Sequence, residues 1–423
     1  MPLGTGEFEE AWPRIVRALA SFTGSLDDAE EYAAEAVARA AAHERAAGRP
    51  IESYAAWCTS VAKRAWLDDA RRRAVERRLA PQLARPEVDA PTDPSGHAVM
   101  DADLSRQGLD DRLALLFVAC DEALSPTSRM VLALRVVCGL TIPEIAGHLG
   151  VQDTAAAARL TRAKRALAEA RGAFHVPPPV EQERRLPVVL ACVAAMFTVA
   201  HRTALDPADA LSDTGRQALS IADALVATFP RDTEVRGLRA VIRLGLARRP
   251  GRLDPTGTAL ALDEVDRTRW DRSLLAAGLD DATIAAAGDG RFAIEAAIAG
   301  LHSVAPSLER TDWPRIALLY GALEERWPSP SVRVARLVAT AHAVLAGEDG
   351  GATTSLTEVE RELTSLETRG PAYASRDAAL ALADLEWRTE RREQAAQRYR
   401  DLAEVLDVEP LRRFCLRRAL TPP

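Results

Sequence analysis

Aromatic residues are scarce in this chain. They make up 5% of its 423 residues, with eight Phe, five Tyr, seven Trp and only four Met. The composition is instead rich in Ala, Leu, Arg and Glu, which favours helix over strand. No apolar run approaches the roughly 18 residues that a membrane-crossing helix needs. Met1 to Phe8 has no basic region leading into an apolar run, so no secretory signal is read and a cytoplasmic location is expected. The five cysteines, Cys58, Cys120, Cys138, Cys192 and Cys415, are far apart and form no CxxC pair. A structural zinc site needs closely spaced ligands, so reduced, partly buried thiols and no metal are expected. There is no glycine-rich phosphate loop, no HExxH, no GxSxG and no pair of carboxylates with a histidine. Neither an enzyme nor a cofactor is expected.

The apolar share of 48% is ample for buried cores, and the length allows two or three domains. The net charge of -7 argues against a nucleic-acid binder only if charge is evenly spread, and it is not. Lys63 to Arg85 holds eight basic residues against three acidic ones. Arg159 to Arg171 holds five against one, and Glu87 to Asp103 between them is acidic. Basic patches of this kind fit a protein that touches nucleic acid at two places.

The pattern is helical almost throughout. Residues 1–85 read as a first helical domain and 86–108, with Pro86, Pro91, Pro94 and Gly96, as a flexible linker. Residues 109–172 read as a second compact helical domain, 173–182 as a hinge stiffened by Pro177, Pro178 and Pro179, and 183–423 as a string of amphipathic helices. Breaks are expected near Pro230, Pro250 to Gly257, Gly288 to Gly290, Pro328 to Pro330, Gly347 to Gly351 and Gly370-Pro371. Ala378 to Arg388 and Glu393 to Val405 form a helix pair about a short polar turn. Ala379, Ala381, Ala383, Ala395 and Ala396 are small enough for close packing beside Trp387 and Tyr399, as in a tetratricopeptide repeat. Near Asp266, Arg269, Trp270 and Asp271 an ion pair beside a packed Trp is expected, in preference to a catalytic group.

Ser125 to Arg171 is the most specific segment. Ser125 is a candidate N-cap with Pro126 in the first turn, and Gly139 ends that helix. Thr141 and Glu144 have capping-box spacing and open a short helix through Ile145, Ala146 and Leu149, stopped by Gly150. Asp153 or Thr154 caps a third helix that runs from Ala155 to Glu169. A helix, a tight turn and a basic second helix make a helix-turn-helix, whose second helix enters the major groove. Leu124-Ser125-Pro126, Leu134-Arg135, Gly139-Leu140-Thr141, Glu144-Ile145-Ala146 and Arg159-Leu160-Thr161-Arg162-Ala163-Lys164 together resemble region four of the extracytoplasmic-function sigma factors. The resemblance implies contact with a -35 promoter element through Thr154, Arg159, Arg162, Lys164 and Arg165. The family's polar residues at the start of the recognition helix are replaced by Ala155 to Ala158. Alanine can touch a thymine methyl but cannot hydrogen-bond a base edge, so direct readout is expected to be thin and the arginines to hold phosphates.

Leu26 to Ala41 is an acidic amphipathic helix. It resembles the region-two helix that docks on core RNA polymerase, which implies polymerase contacts for Asp27, Asp28, Glu31 and Glu35. In the next helix Tyr54, Trp57, Cys58, Val61 and Ala65 share one face, which makes Trp57 a core candidate and leaves Trp66 out of phase. Tyr54 to Arg73 resembles the family's -10 melting region, which implies single-stranded DNA contacts for Lys63, Arg64, Trp66, Arg71 and Arg72 by stacking and phosphate pairing. Asp69 and Arg64 depart from the family's usual residues there. Arg185 to Leu190, Val265 to Asp271, Ala296 to His302 and Thr311-Asp312-Trp313 resemble the subgroup with a tetratricopeptide-like extension of the DUF6596 type, although Phe197 to His201 lacks its Asn-Glu-Gly-Tyr run. The expectation is an all-α sigma factor that directs promoter-specific initiation, with core RNA polymerase and promoter DNA as partners. Its helical extension is expected to regulate activity through a protein or peptide partner. The alternatives are a helical scaffold, or a plain DNA-binding regulator, with a degenerate sigma-like module.

Overall fold

Local signals open and close the helices as the sequence requires. Ser125 accepts a hydrogen bond from the Ser128 amide, with Pro126 at the first helical position. The Thr141 amide donates to Glu144 at 2.6 Å while the Glu144 amide donates to the Thr141 hydroxyl at 3.4 Å, closing the expected capping box. Gly139 takes φ +71°, and a Cβ there would lie 3.1 Å from both Phe8 and Trp12. That turn therefore needs glycine for its backbone conformation and for the room it leaves. One cap differs from expectation: the third helix of this set begins at Asp153 with Gln152 in the cap position and no side-chain cap bond. Asp153 instead sits in the first turn, where the helix dipole favours a carboxylate.

A computed structural model describes residues 5–47, 49–79, 109–149, 151–203, 213–347, 355–406 and 408–420. Among these the chain is all-α, with eighteen α-helices and no strand. The expected linker 86–108 and the greater part of the Gly347 to Gly351 break lie outside the described residues. The described chain divides into two compact units, one up to Met196 and one from Phe197 onward.

The first unit contains α1 (Thr5–Thr23), α2 (Leu26–Ala47), α3 (Tyr54–Leu79), α4 (Asp111–Ala119), α5 (Pro126–Val136), α6 (Ile142–Leu149) and α7 (Asp153–Arg171), together with α8 (Pro179–Thr203) as far as Met196. Helix α1 is the hub: it packs on α2 and α3 on one side and on α4 and α5 on the other. Its Ile15, Val16 and Leu19 are fully buried, as are Leu113, Phe117, Leu132 and Ile145 of the later helices. On α3 the buried face is Tyr54, Cys58 and Ala62. Trp57 is only half-buried against the His43 ring, which corrects its expected core position by part of a helical turn. All five cysteines are buried, with no disulfide among them.

The segment expected as a proline hinge belongs to this first unit. Pro177 is buried and its carbonyl accepts from Gln182, the Phe174 amide donates to the Gly24 carbonyl at 2.9 Å, and Pro179 starts α8. Proline suits a first helical position, where its missing N–H removes no intrahelical bond. The run is thus a packed entry into α8 and not a free spacer.

The second unit contains α9 (Thr214–Thr228), α10 (Thr233–Arg248), α11 (Arg272–Ala285), α12 (Arg291–Val304), α13 (Trp313–Arg326), α14 (Pro330–Leu345), α15 (Leu356–Arg369), α16 (Ala372–Arg388), α17 (Arg392–Val405) and α18 (Glu409–Leu420). Each helix packs on the next in the chain, α12 returns onto α10, and α16 onto α14. The expected breaks at Pro230, 250–257, 288–290, 328–330 and 370–371 separate successive α-helices, with Pro330 opening α14, and Ala305–Asp312 is a further break that the sequence pattern does not mark. In the last pair Ala383, Ala395 and Tyr399 are buried, and Trp387 meets the Tyr399 ring edge-on. No ion pair joins the members of the Asp266–Asp271 cluster, all of them described residues. Asp266 and Asp271 cap the turns that follow them, and Trp270 is buried beneath the Arg267 guanidinium.

Two histidines flank buried Trp313: His342 stacks on it at 4.2 Å and His302 meets it edge-on at 5.3 Å. Burial pushes His302 down to about 3, helped by Arg248 and Arg267, and His342 down to about 4, helped by Arg388. An unfolded imidazole titrates near ~6.5. The unfolded chain therefore takes up these protons first, and the stability held by the neutral pair is complete above that value and lost as the pH falls from it toward 4. Urea unfolding at a series of pH values is expected to show this loss, with a slope of up to about 1.4 kcal/mol per pH unit for each proton. His342→Gln is expected to remove one proton from that slope, and an unchanged slope would exclude His342 as its source.

Candidate nucleic-acid interface

Helix α7 has two faces. Ala156, Leu160, Ala163 and Leu167 recur at helical spacing and are buried against α5 and α6. The opposite face carries Thr154, Ala158, Thr161, Arg162 and Arg165, all exposed. Arg165 pairs with Glu169 one turn on at 2.6 Å, and Arg159 is half-buried at the edge of the face. The expected DNA-contact residues Thr154, Arg162 and Arg165 thus lie on one open surface, with the alanines supplying little polar chemistry beside them.

Lys164 does not join them. Its side chain is 11% exposed and turns toward α2, where its Nζ lies 2.6 Å from Glu30 and 2.8 Å from Asp27. This corrects its expected contact with DNA. Glu30 is itself buried and also accepts from the Arg135 guanidinium of α5. Arg135 donates to the Leu140 carbonyl, lies over the Trp12 ring, and its own carbonyl accepts from the Trp12 indole N–H. Arg17 of α1, buried, reaches the Leu109 carbonyl and Asp111. A set of long-range polar contacts therefore ties the helices of residues 5–79 to those of 109–171.

On α2, Glu31 and Glu35 are exposed, Glu35 paired with Arg39. Asp27 is largely exposed despite its ion pair, whereas Asp28 accepts from the Trp66 indole N–H at 2.8 Å. Trp66 is half-buried and edge-on to Phe22, so the ring expected to stack on bases is in part committed inside the unit. Lys63 lies over the same Phe22 ring. Arg64, Arg71 and Arg72 are exposed, the latter two paired with Asp68 and Asp69. Asp69 has a structural role. It accepts from the Tyr32 hydroxyl, which together with Arg72 holds its carboxyl below the ordinary value, while burial and Asp69 push Tyr32 up to about 12.

The end of α7 is anchored to α4 and α8 by one buried carboxylate. Asp121, 2% exposed, lies 2.8 Å from both Arg171 and Arg185, and Arg185 also donates to the Phe117 carbonyl. Burial pushes the Asp121 carboxyl up. The hydrogen bonds from Arg171 and the Ala123 amide, with the charge of Arg185, outweigh that and hold it below the ordinary value. Sequence patterns single out neither Asp121 nor Glu30 as a joint. Glu30 was visible only as one charge in an acidic run, and Arg135 only within the Leu134-Arg135 motif.

Residues 115–167, which span α4 to α7, match the sigma-70 region 4 family. Residues 185–286 match a family of unknown function, DUF6596. An uncharacterized protein of Rhizobium meliloti (strain 1021) is 34% identical over 331 residues, covering 78% of this chain and 77% of that protein. The chain belongs to the sigma-70 family. Within this family member, region 4 stands ahead of a DUF6596 domain, and α6 and α7 are its helix-turn-helix, which gives it a sigma-factor-like DNA-binding role. No solved structure matches the chain. No helix among the described residues is long and apolar enough to cross a membrane.

Asp121→Ala would leave two arginines without their buried acid. It is expected to destabilise the first unit by about 3–5 kcal/mol in chemical denaturation at pH 7. Because the folded carboxyl titrates below its unfolded value of ~3.9, its contribution is present above that pH and lost as the pH falls through the folded value. The difference between variant and parent should therefore shrink at low pH, and a pH-independent difference would count against the ion pairs as its cause.

Proposed function

We propose that this protein is a sigma factor of the extracytoplasmic-function type, which binds core RNA polymerase and directs promoter-specific transcription initiation. The observation that carries the reading is the exposed face of α7, with Thr154, Ala158, Thr161, Arg162 and Arg165 on the second helix of a region 4 helix-turn-helix. In this reading Arg162 and Arg165, with Arg159 at the edge, hold phosphates of a -35 element, while Thr154 and the alanines touch base edges thinly. Arg64, Arg71 and Arg72 of α3, with Lys63 and Trp66, engage the melted strand at -10. Asp27, Glu31 and Glu35 of α2 offer an acidic face to the polymerase, with Asp28 held back by Trp66.

The helical array after α8 is, in this proposal, a tetratricopeptide-like regulator that receives a protein or peptide on its surface and works in the cytoplasm. Its support is the chain of successive packed helix pairs, since stacked pairs present extended binding surfaces. A plain DNA-binding regulator is the second reading. It is favoured by the internal use of Asp28 and Trp66, residues that the docking and melting roles would want free, and by Asp69, which occupies Arg72.

Co-elution with core RNA polymerase separates the two. The full chain is expected to bind, and Glu31→Ala with Glu35→Ala to weaken binding several-fold. Absence of binding, with promoter-sized duplex DNA still bound, would leave the plain regulator. In the DNA assay Arg162→Ala and Arg165→Ala should each weaken binding across sequences and lower the salt slope by about 1. Slopes equal to the parent's would remove both from the phosphate contacts.

A further inference from the structure

We propose that Lys164, Asp27, Glu30 and Arg135 form a charge lock that holds the chain in a closed form, with α2 drawn against the helix-turn-helix. The regulatory meaning rests on the reading of α2 and α7 given above; the lock itself does not. Four observations carry it. Glu30 is buried between two cations, Arg135 of α5 and Lys164 of α7, from the other side of the expected linker. Asp27, on the acidic face of α2, spends its charge on the same Lys164. Lys164 in turn is the one cation of the α7 motif that points away from the open DNA face. Finally, the backbone packing between the two halves runs through α1 on α4 and α5, and α2 is not among the helices that pack closely on α5 or α7. The ion pairs of Glu30 and Asp27 thus join α2 to α7 where helix packing is slight, and their loss weakens that edge of the joint while α1 still packs on α4 and α5.

The closed form has a cost for each partner. A polymerase surface that approaches α2 meets an acidic face already partly neutralised by Lys164. Duplex DNA that approaches α7 finds Lys164 turned away from it and engaged by α2. A partner that offers a cation to Glu30 and Asp27, or a phosphate to Lys164, can exchange for the internal ion pairs. A buried carboxylate left with one of its cations missing is strongly destabilised where it sits, so loss of Lys164 should push the equilibrium toward separation of α2 from α7.

The test reads distance first. The native cysteines are all buried, so nitroxide labels at Ala34→Cys on α2 and Thr161→Cys on α7, both exposed positions, report the separation of the two helices by pulsed electron paramagnetic resonance. The parent full chain is expected to give a single short distance. Lys164→Glu, which places three acids together, is expected to shift the population toward longer distances by ~10-fold or more. Lys164→Met, which keeps the length of the side chain and loses its charge, is expected to do so to a smaller extent and serves should the reversal fail to fold. Unchanged distances in both variants would overturn the lock. Unlabelled Lys164→Met chain is then expected to bind core RNA polymerase several-fold more tightly than the parent. Longer distances with no gain in affinity would overturn the claim that closure masks α2. If neither chain bound polymerase at all, the sigma reading would fail, while the distances would still decide the lock.

Discussion

A carboxylate taken out of water must be met by cations and hydrogen-bond donors or it will not stay charged. In this arginine-rich, aromatic-poor chain that constraint is used as a joint. Asp121 gathers Arg171 and Arg185 at the meeting of α4, α7 and α8. Glu30 gathers Arg135 and Lys164 between α2, α5 and α7. In the second unit Asp281 of α11 gathers Arg236, Arg239 and Arg243 from three successive turns of α10. Each joint brings two or more cations to one buried acid, and a second, more exposed acid (Glu181, Asp27 and Asp223 in turn) shares at least one of them. Apolar packing sets which helices touch, and these acids set how the helices are turned relative to one another. An aliphatic contact could slide by a fraction of a turn, but a guanidinium fork over a carboxylate cannot.

This division explains what the sequence makes legible and what it hides. The helix-turn-helix is readable because its determinants are local. Ser125 with Ser128, Thr141 with Glu144, and the left-handed turn at Gly139 all act within a few residues, where spacing is visible. The helix breaks of the second unit are readable for the same reason. Glu30 with Lys164 and Asp121 with Arg185 are 134 and 64 positions apart, and no periodicity marks them among fifty-four cations and sixty-one acids. The proline run misleads in the same way. Three prolines read as a stiff spacer, yet the buried Arg185 just beyond them fastens the segment to α4.

Helix α3 shows how a site pattern can be reused for structure. Its basic and aromatic residues have the composition of a single-strand binder, but its acids are placed to consume part of that chemistry. Asp68 and Asp69 stand one turn before Arg71 and Arg72, and Asp69 is also the acceptor for Tyr32 of α2. An exposed ion pair is worth little, with a median near 0–1 kcal/mol. A phosphate can therefore displace Asp68 from Arg71 at small cost. The Tyr32 bond to Asp69 is less exposed and holds α2 to α3, so Arg72 gives up more than Arg71 does when it turns to a phosphate. The two arginines, adjacent in sequence, are thus unequally free to meet a phosphate.

The same reasoning bears on the alanine run of α7. Ala155 to Ala158 offer no hydrogen bonds to base edges, yet they also leave no side-chain competitors for the backbone and raise helix propensity in the first turns of α7. Ala156 is buried and packs the helix down, while only Ala158 is exposed. What remains on the open face is a rigid helix with two charged arginines one turn apart and little base chemistry. Such a helix binds mainly through phosphates. In the proposed reading its choice among sequences then depends on groove shape and on a second contact by α3. Specificity in that reading is therefore shared between α7 and α3, and no single base contact decides it.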